Sequence, residues 1–285
     1  MATFTNRATL TYNGNVRNSN IATGELVEVL SVSKTAVVGE YGAFDEVTYV
    51  VSIVNSGTTA FNGLTVTDTL GAYTFDTSTL YPLTYVDGSI KYYVNGVLLP
   101  APTVSDTTGE LVISGINVPA GGNAIIVYQA TTNDFAPLDS TSSITNTVTV
   151  DGETLSSPIT ASETVTALDE PDLTINKSIS PSVVPENSRV TYTFTILNYG
   201  NTPADAADNA VVTDTFDPIL TDIVVTFNGT VWTEGTEYTY DEATGVFATV
   251  AGNITVPAAT YTQDPATGEW ITTPGVSTLT VEGTI

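Results

Sequence analysis

The chain has only three lysines, Lys34, Lys91 and Lys177, and two of them stand at matching places. Lys34 lies in LSVSKTAV (30–37) and Lys177 in LTINKSIS (173–180), 143 residues further on. The same self-comparison sets Asp68 over Asp214 in VTDT, and Asn146 of ITNTVTV (144–150) over Asn6 of FTNRATL (4–10). A lysine inside an apolar string is rare unless paired, so two in register suggest a role. Burial lowers the pKa of an amine and raises that of a carboxyl, which would leave a neutral nucleophile beside a protonated acid. The plainer reading is a half-buried Lys–Asp salt bridge, with each Asn capping a turn or bonding backbone, as Asn in a TNT string often does. Either reading needs elements far apart in sequence to bring the three side chains together.

Those elements are strands. Val, Ile, Thr and Tyr alternate with polar residues in VTYVVSIVN (47–55), SIKYYVNG (89–96) and AIIVYQA (124–130), each bounded by Gly, Asn, Asp or Pro. Sustained helical periodicity is absent, and the best short helical candidate is PADAADNA (203–210). Many short strands with frequent turn signals predict an all-β chain of sandwiches. At the spacing of 143, VTYVVSIVNSGTT (47–59) lies over VTYTFTILNYGNT (190–202), and after a three-residue insertion VTDTL (66–70) lies over VTDTF (212–216). VNG (94–96) resembles FNG (227–229), and NVPA (117–120) resembles TVPA (255–258). The expected organisation is an N-terminal strand and linker at 1–29, domain one at 30–150, a linker at 151–172 and domain two at 173–285.

Composition narrows the chemistry. The 285 residues include 31 Asp or Glu and 6 Lys or Arg, for a net charge of −25, with no His and no Cys. Nucleic acid binding needs basic patches that six cations in this field cannot make, and insertion into a membrane is not expected either. Without His or Cys there is no imidazole base, thiol nucleophile or disulfide, and no zinc site of the usual ligands. No P-loop or dinucleotide fingerprint is found, so no cofactor is expected. Only 13% of residues are charged, so the surface must be built largely from Thr, Ser, Asn and Gly. The start, MATFTNRATLTYNGN, shows neither a basic nor an apolar leader region, so no secretory signal is visible in it.

L-x-x-x-K, then VTYxxxIxNxG, VTDxL and TNTVTV together resemble the bacterial and archaeal surface-repeat family called "domain of unknown function eleven". That resemblance covers both domains. It implies two tandem Ig-like β-sandwiches on a cell surface, without enzymatic activity.

In domain one the strand NAIIVYQA leads on to ITNTVTV, the natural last strand. Ile144 lies seventeen positions beyond Val127, whereas only four residues follow Val281, its expected equivalent. Domain two is therefore expected to lack its last strand, leaving an unpaired edge and an open core. A matching strand exists at the other end: FTNRATL lies over ITNTVTV, YNG (12–14) over VDG (150–152), and IATGELVEV (21–29) over ITASETVTA (159–167). The expected donor strand carries Phe4, Thr5, Asn6, Ala8 and Leu10. The strand could fill domain two of its own chain or of a neighbour. Strand 144–150 closes the domain upstream of its linker, so strand 4–10 is expected to close a domain upstream of domain one, in another molecule, rather than fold back against short linkers. A head-to-tail contact of that kind gives an open filament.

First and last strands are neighbours in such sandwiches, so Lys and Asn could meet. The arrangement resembles the isopeptide-forming domains of Gram-positive pilins and adhesins. That resemblance implies attack of a first-strand Lys on a last-strand Asn, with a buried acid relaying protons as ammonia leaves. The sets implied are Lys34, Asp68 and Asn146 within one chain, and Lys177 and Asp214 with Asn6 of the next.

Other residues carry weaker signals. NTPADAADN (201–209) is oxygen-rich, but a solvated turn is the better reading than a calcium site. The pairs Asp45/Glu46 and Asp241/Glu242 point to opposite faces of a strand, unlike glycosidase carboxylates. Trp232 and Trp270 read as packing residues rather than a sugar platform. The expected function is a self-assembling, pilus-like fibre subunit on a bacterial cell or spore surface, not an enzyme. The alternative is a monomeric adhesin or stalk module of Ig-like repeats.

Overall fold

The computed structural model describes residues 2–26, 29–106, 109–153 and 155–285. Among them the chain is all-β, and the only helical segment is a 3-10 turn, Ala206–Asp208, where PADAADNA had offered a helix. Asp205 caps that turn by accepting from the backbone N–H of Ala207.

Four short strands form the N-terminal region: β1 (Ala2–Asn6), β2 (Thr9–Tyr12), β3 (Asn15–Asn18) and β4 (Ala22–Leu26). β1 pairs with β4 and β2 with β3, so the region is one hairpin with a break at Arg7–Ala8. Its tip is Asn13–Gly14, both at positive φ, the conformation that two-residue hairpin turns require. The expected continuous strand 4–10 is thus two strands, because the turn lets 9–12 pair locally.

Domain one follows with β5 (Leu30–Ala36), β6 (Glu40–Tyr41), β7 (Glu46–Asn55), β8 (Phe61–Asp68), β9 (Tyr73–Phe75), β10 (Ser78–Leu80) and β11 (Leu83–Tyr85). It continues with β12 (Lys91–Val94), β13 (Val97–Leu99), β14 (Thr103–Ser105), β15 (Leu111–Val118), β16 (Asn123–Thr132), β17 (Ser143–Asp151) and β18 (Ile159–Ala167). One sheet has the order β13-β12-β16-β7-β5, and the facing sheet β14-β15-β8-β17-β18-β6. Alternate residues point into the space between them, so β7 buries Val47, Tyr49, Val51 and Ile53 in succession. The expected linker 151–172 requires correction. It contains β18, which pairs along β17 and buries Val165 and Ala167 in the core. Its alternation is carried by small residues, Ala161 and Ala167 among them, which made ITASETVTA read as a connector.

Domain two comprises β19 (Leu173–Ser180), β20 (Arg189–Asn198), β21 (Thr213–Thr215), β22 (Thr221–Phe227), β23 (Thr230–Val231), β24 (Tyr238–Asp241) and β25 (Val246–Thr249). It ends with the hairpin β26 (Thr260–Gln263) and β27 (Trp270–Thr273), then β28 (Gly275–Thr284). Its larger sheet, β19-β20-β28-β22-β23, matches the first sheet of domain one; the second has only β21-β25-β24. Among the described residues nothing pairs with the outer edge of β21, where β8 in domain one meets β17. The sandwich is open on that side.

The hairpin β26–β27 leans on domain one. Gln263 Nε2 donates to the Tyr73 hydroxyl at 3.0 Å, and the Trp270 backbone N–H to the Asp134 carbonyl at 2.8 Å. Asn201 Nδ2 donates to the carbonyls of Leu138 (3.0 Å) and Leu168 (2.9 Å), fixing the junction from its other side. Leu64→Ala, at a fully buried site of β8, is expected to destabilise domain one by about 2–5 kcal/mol, read as an earlier denaturant midpoint. Val97→Ala, on exposed β13, should leave that midpoint unchanged.

Candidate functional site

β5 turns Leu30 and Lys34 to the same inward face, because residues four apart on a strand share a side. The Lys34 side chain is wholly buried, and its Nζ lies 2.5 Å from Asp68 Oδ2 at the end of β8. The other Asp68 oxygen accepts from the Leu70 N–H at 2.8 Å. Above the amine are two stacked tyrosines, Tyr49 of β7 and Tyr128 of β16, with centroids 5.6 Å apart. Nζ sits 4.6 Å from the Tyr49 ring centre, a cation–π distance.

Tyr128 organises the centre, and the sequence reading missed it. Its hydroxyl donates to Asp68 Oδ2 and accepts from Asn146 Nδ2 at 3.5 Å. Asn146 is fully buried on β17, and its Oδ1 accepts from the Gly71 N–H (3.2 Å) and the Thr69 hydroxyl (3.4 Å). Lys34, Asp68 and Asn146 thus belong to one buried polar network joined through a phenol. Burial brings the Lys34 pKa down to about 8, against the opposing pull of Asp68. Burial and then Asp68 push Tyr128 well above its ordinary value, keeping the phenol neutral. An amine with a lowered pKa, an adjoining carboxyl and a carboxamide with its carbonyl oxygen on N–H and O–H donors are the components of amide exchange.

Domain two repeats part of this centre. Lys177 Nζ contacts Asp214 Oδ2 directly, but the two side chains are 40% and 18% exposed, where Lys34 and Asp68 are 0%. Nζ lies over the Tyr192 ring at 4.6 Å and near Phe216 at 5.3 Å. Tyr192 pairs with Val281 as Tyr49 pairs with Tyr128, so Val281 corresponds to Tyr128 and not, as expected, to Val127. The phenol is therefore absent from the second centre. Among the described residues no carboxamide stands in the place of Asn146. Asn6 lies instead on β1, exposed and opposite Ala22. The structure joins Lys177 to Asp214 and leaves Asn6 apart from both.

The remaining candidates have structural partners. Asp205 and Asp208 bond backbone N–H groups of their own turn. Asp45 accepts from the Gly42 N–H, and Asp241 from Ala243 and Thr244. Among the described residues no group of three or more His, Cys, Asp or Glu could hold a metal ion. Trp232 stacks on Phe227 with centroids 4.9 Å apart, and Trp270 belongs to the interdomain hairpin.

Against protein-family models and against curated proteins, nothing matches the chain. Solved structures similar to it include the pilus backbone RrgB of Streptococcus pneumoniae, at 13% identity and a TM-score of 0.35 over 86% of this chain and 55% of that one. BcpA, the major pilin subunit of Bacillus cereus, is similar at 11% identity and a TM-score of 0.36, over 95% of this chain and 73% of that one. The major pilin SpaD of Corynebacterium diphtheriae is similar at 10% identity and a TM-score of 0.35, over 78% and 49% respectively. The chain thus spans about half the length of two of these structures. Superposition scores this low tie it to none of their functions.

The two Lys–Asp pairs should respond differently to substitution. Asp68→Ala leaves a buried ammonium unpaired and is expected to cost domain one about 3–5 kcal/mol. Asp214→Ala removes a partly solvated pair and should cost about 1 kcal/mol or less; denaturant unfolding of each domain measures both. A pH dependence follows where Asn146→Ala leaves Lys34 a free amine. Its folded pKa of about 8 lies below the ordinary 10.5, so the unfolded chain holds the extra proton between those values. The Lys34 contribution to stability therefore rises as pH climbs from about 8, until tyrosine ionisation opposes it near 10. Unfolding of Asn146→Ala should gain on a Lys34→Met/Asn146→Ala control across that window.

Proposed function

We propose that this chain is the subunit of an extracellular, pilus-like fibre, in which the N-terminal segment of one copy completes domain two of the next, head to tail. One observation carries this reading: domain two has a vacant lane beside β21, and residues 4–10 repeat the strand that fills the equivalent lane in domain one. Ile144, Asn146, Val148 and Val150 of β17 point into the core of domain one. Their counterparts Phe4, Asn6, Ala8 and Leu10 alternate in the same way and are exposed. Among the described residues the N-terminal strands pair only with one another, which supports a recipient in another molecule. The motifs shared with the surface-repeat family support a place on a cell or spore surface.

Docking would set Asn6 beside Lys177 and Asp214, as Asn146 stands in the Lys34 network. The proposed covalent step is the same in both domains. Neutral Lys Nζ attacks the Asn side-chain carbonyl carbon, the new C–N bond replaces the bond to the amide nitrogen, and that nitrogen leaves as ammonia. The proton lost from the amine passes through the Asp carboxyl to the leaving nitrogen, so no oxidant or other reactant is needed. Lys34 with Asn146 would staple domain one internally, whereas Lys177 with Asn6 would join successive subunits. The phenol missing at the second centre marks Tyr128 as a partner of Asp68 in domain one only. The net charge of −25 keeps finished fibres apart from one another.

Purified protein boiled in detergent should run as a ladder, and intact mass should be lower by one ammonia for each bond formed. Lys177→Ala or Asn6→Ala should abolish the ladder while detergent-sensitive polymer persists. Removal of residues 1–12 should leave monomer only. Polymer of undiminished length without those residues would contradict complementation and favour an adhesin or stalk module.

A further inference from the structure

We infer that the element exchanged between subunits is a two-stranded unit, with β1 filling the lane beside β21 and β4 lying outside it over β19. This rests on the head-to-tail reading above and identifies which residues of the second copy make the contact.

In domain one the lane beside β8 is two strands wide. β17 pairs with β8, and β18 pairs with β17 and then runs parallel to β6, closing the sheet. It is chiefly β18, not β17, that covers β5. In domain two the strand equivalent to β5 is β19, and every residue along it is exposed. Leu173 and Ile175 are 36% and 52% exposed, whereas Leu30, the counterpart of Leu173, is at 6%. Together with Ile196, Val212 and Ile254 they line an open apolar groove. Val183, in the segment equivalent to β6, is also bare. A lone strand beside β21 would leave β19 and Val183 in water, and burying such apolar surface contributes about 25 cal/mol per Å².

The N-terminal hairpin matches this vacancy strand for strand. Asn6 stands opposite Ala22 as Asn146 stands opposite Glu163, and Phe4 opposite Gly24 as Ile144 opposite Val165. This pairing replaces the expected alignment of 21–29 over 159–167, which is displaced from it by three residues. The tip of the Phe4 ring lies over Gly24, where a Cβ would come within 2.3 Å of it. A large residue on one strand and none on the other thus stand in for Ile144 and Val165. The connection suits the same geometry: β4 ends at Leu26 and β5 begins at Leu30, as β18 ends at Ala167 and β19 begins at Leu173. The Ser56 N–H bonds the Val29 carbonyl just as the Tyr199 N–H bonds that of Asp172.

Ile175→Asp in the full chain puts a carboxylate on the exposed strand β19, in the groove that β4 would cover, and leaves both strands of the N-terminal hairpin unaltered. Two-stranded exchange predicts that polymer formation slows by about tenfold or more, the effect of losing roughly 1.4 kcal/mol of contact. Exchange of β1 alone predicts no change, and that result would overturn the inference while leaving complementation intact. Phe4→Asp separates the two levels: it should abolish polymer in either case, and normal polymer would remove complementation itself. Hydrogen exchange on the unaltered fibre gives a second reading. Amides of 22–26 should be protected as strongly as those of 2–6, and protection of 2–6 alone would contradict the two-stranded unit.

Discussion

A strand edge at the border of a hydrophobic core has to be paired, because its N–H and C=O groups and the apolar side chains beneath them cannot both remain satisfied in water. In domain one β17 and β18 meet that requirement, and the whole interior becomes inaccessible to solvent around Lys34, Asp68 and Asn146. Domain two keeps the larger sheet but, among the described residues, has no counterpart of β17 or β18, and the consequences extend beyond the edge. β19 is bare, Lys177 is 40% exposed, and its carboxylate partner is partly hydrated. One absent hairpin accounts for each difference.

The same constraint sets the chemistry available at the two lysines. A buried ammonium–carboxylate pair is seldom a net gain over apolar packing, so keeping one fully enclosed in domain one calls for a reason. On the proposed function amide formation supplies it, since it would remove both charges from the interior and tie the first strand to the last. With neither His nor Cys in the chain, a Lys–Asn amide is a cross-link its side chains can make without another reactant. In domain two the pair is partly open to solvent and, among the described residues, lacks a carboxamide neighbour. On the proposed function, desolvation by the incoming strand and delivery of Asn6 coincide, which confines reaction to the assembled state.

Much of this was legible in the residues, and what was not has a physical cause. The repeat set Lys34 over Lys177 and Asp68 over Asp214, and the structure places both pairs in contact, because inward-facing polar residues survive only with partners. Tyr128 was not legible as a member of the network. On an alternating strand a tyrosine looks like any core aromatic, and the one-residue misalignment of Val281 hid the fact that only the closed domain carries it. β18 escaped for a related reason: Ala, Ser and Thr bury little area, so ITASETVTA lacks the apolar contrast that marks a strand. The N-terminal segment was recognised by its likeness to β17, but a single strand was expected where pairing forms a hairpin, since β4 carries Gly24 where β18 carries Val165.

The central claim is that an edge in one molecule is completed by the N-terminus of another, and mixing two blocked chains tests it most directly. Phe4→Asp disables the donor, and Val212→Asp, in the apolar groove of domain two, disables the acceptor. Each variant alone should remain monomeric by light scattering. Mixed in equal amounts, the intact donor of one should engage the intact acceptor of the other and give a heterodimer that grows no further. Polymerisation of either variant alone, or a mixture that stays monomeric, would contradict the account.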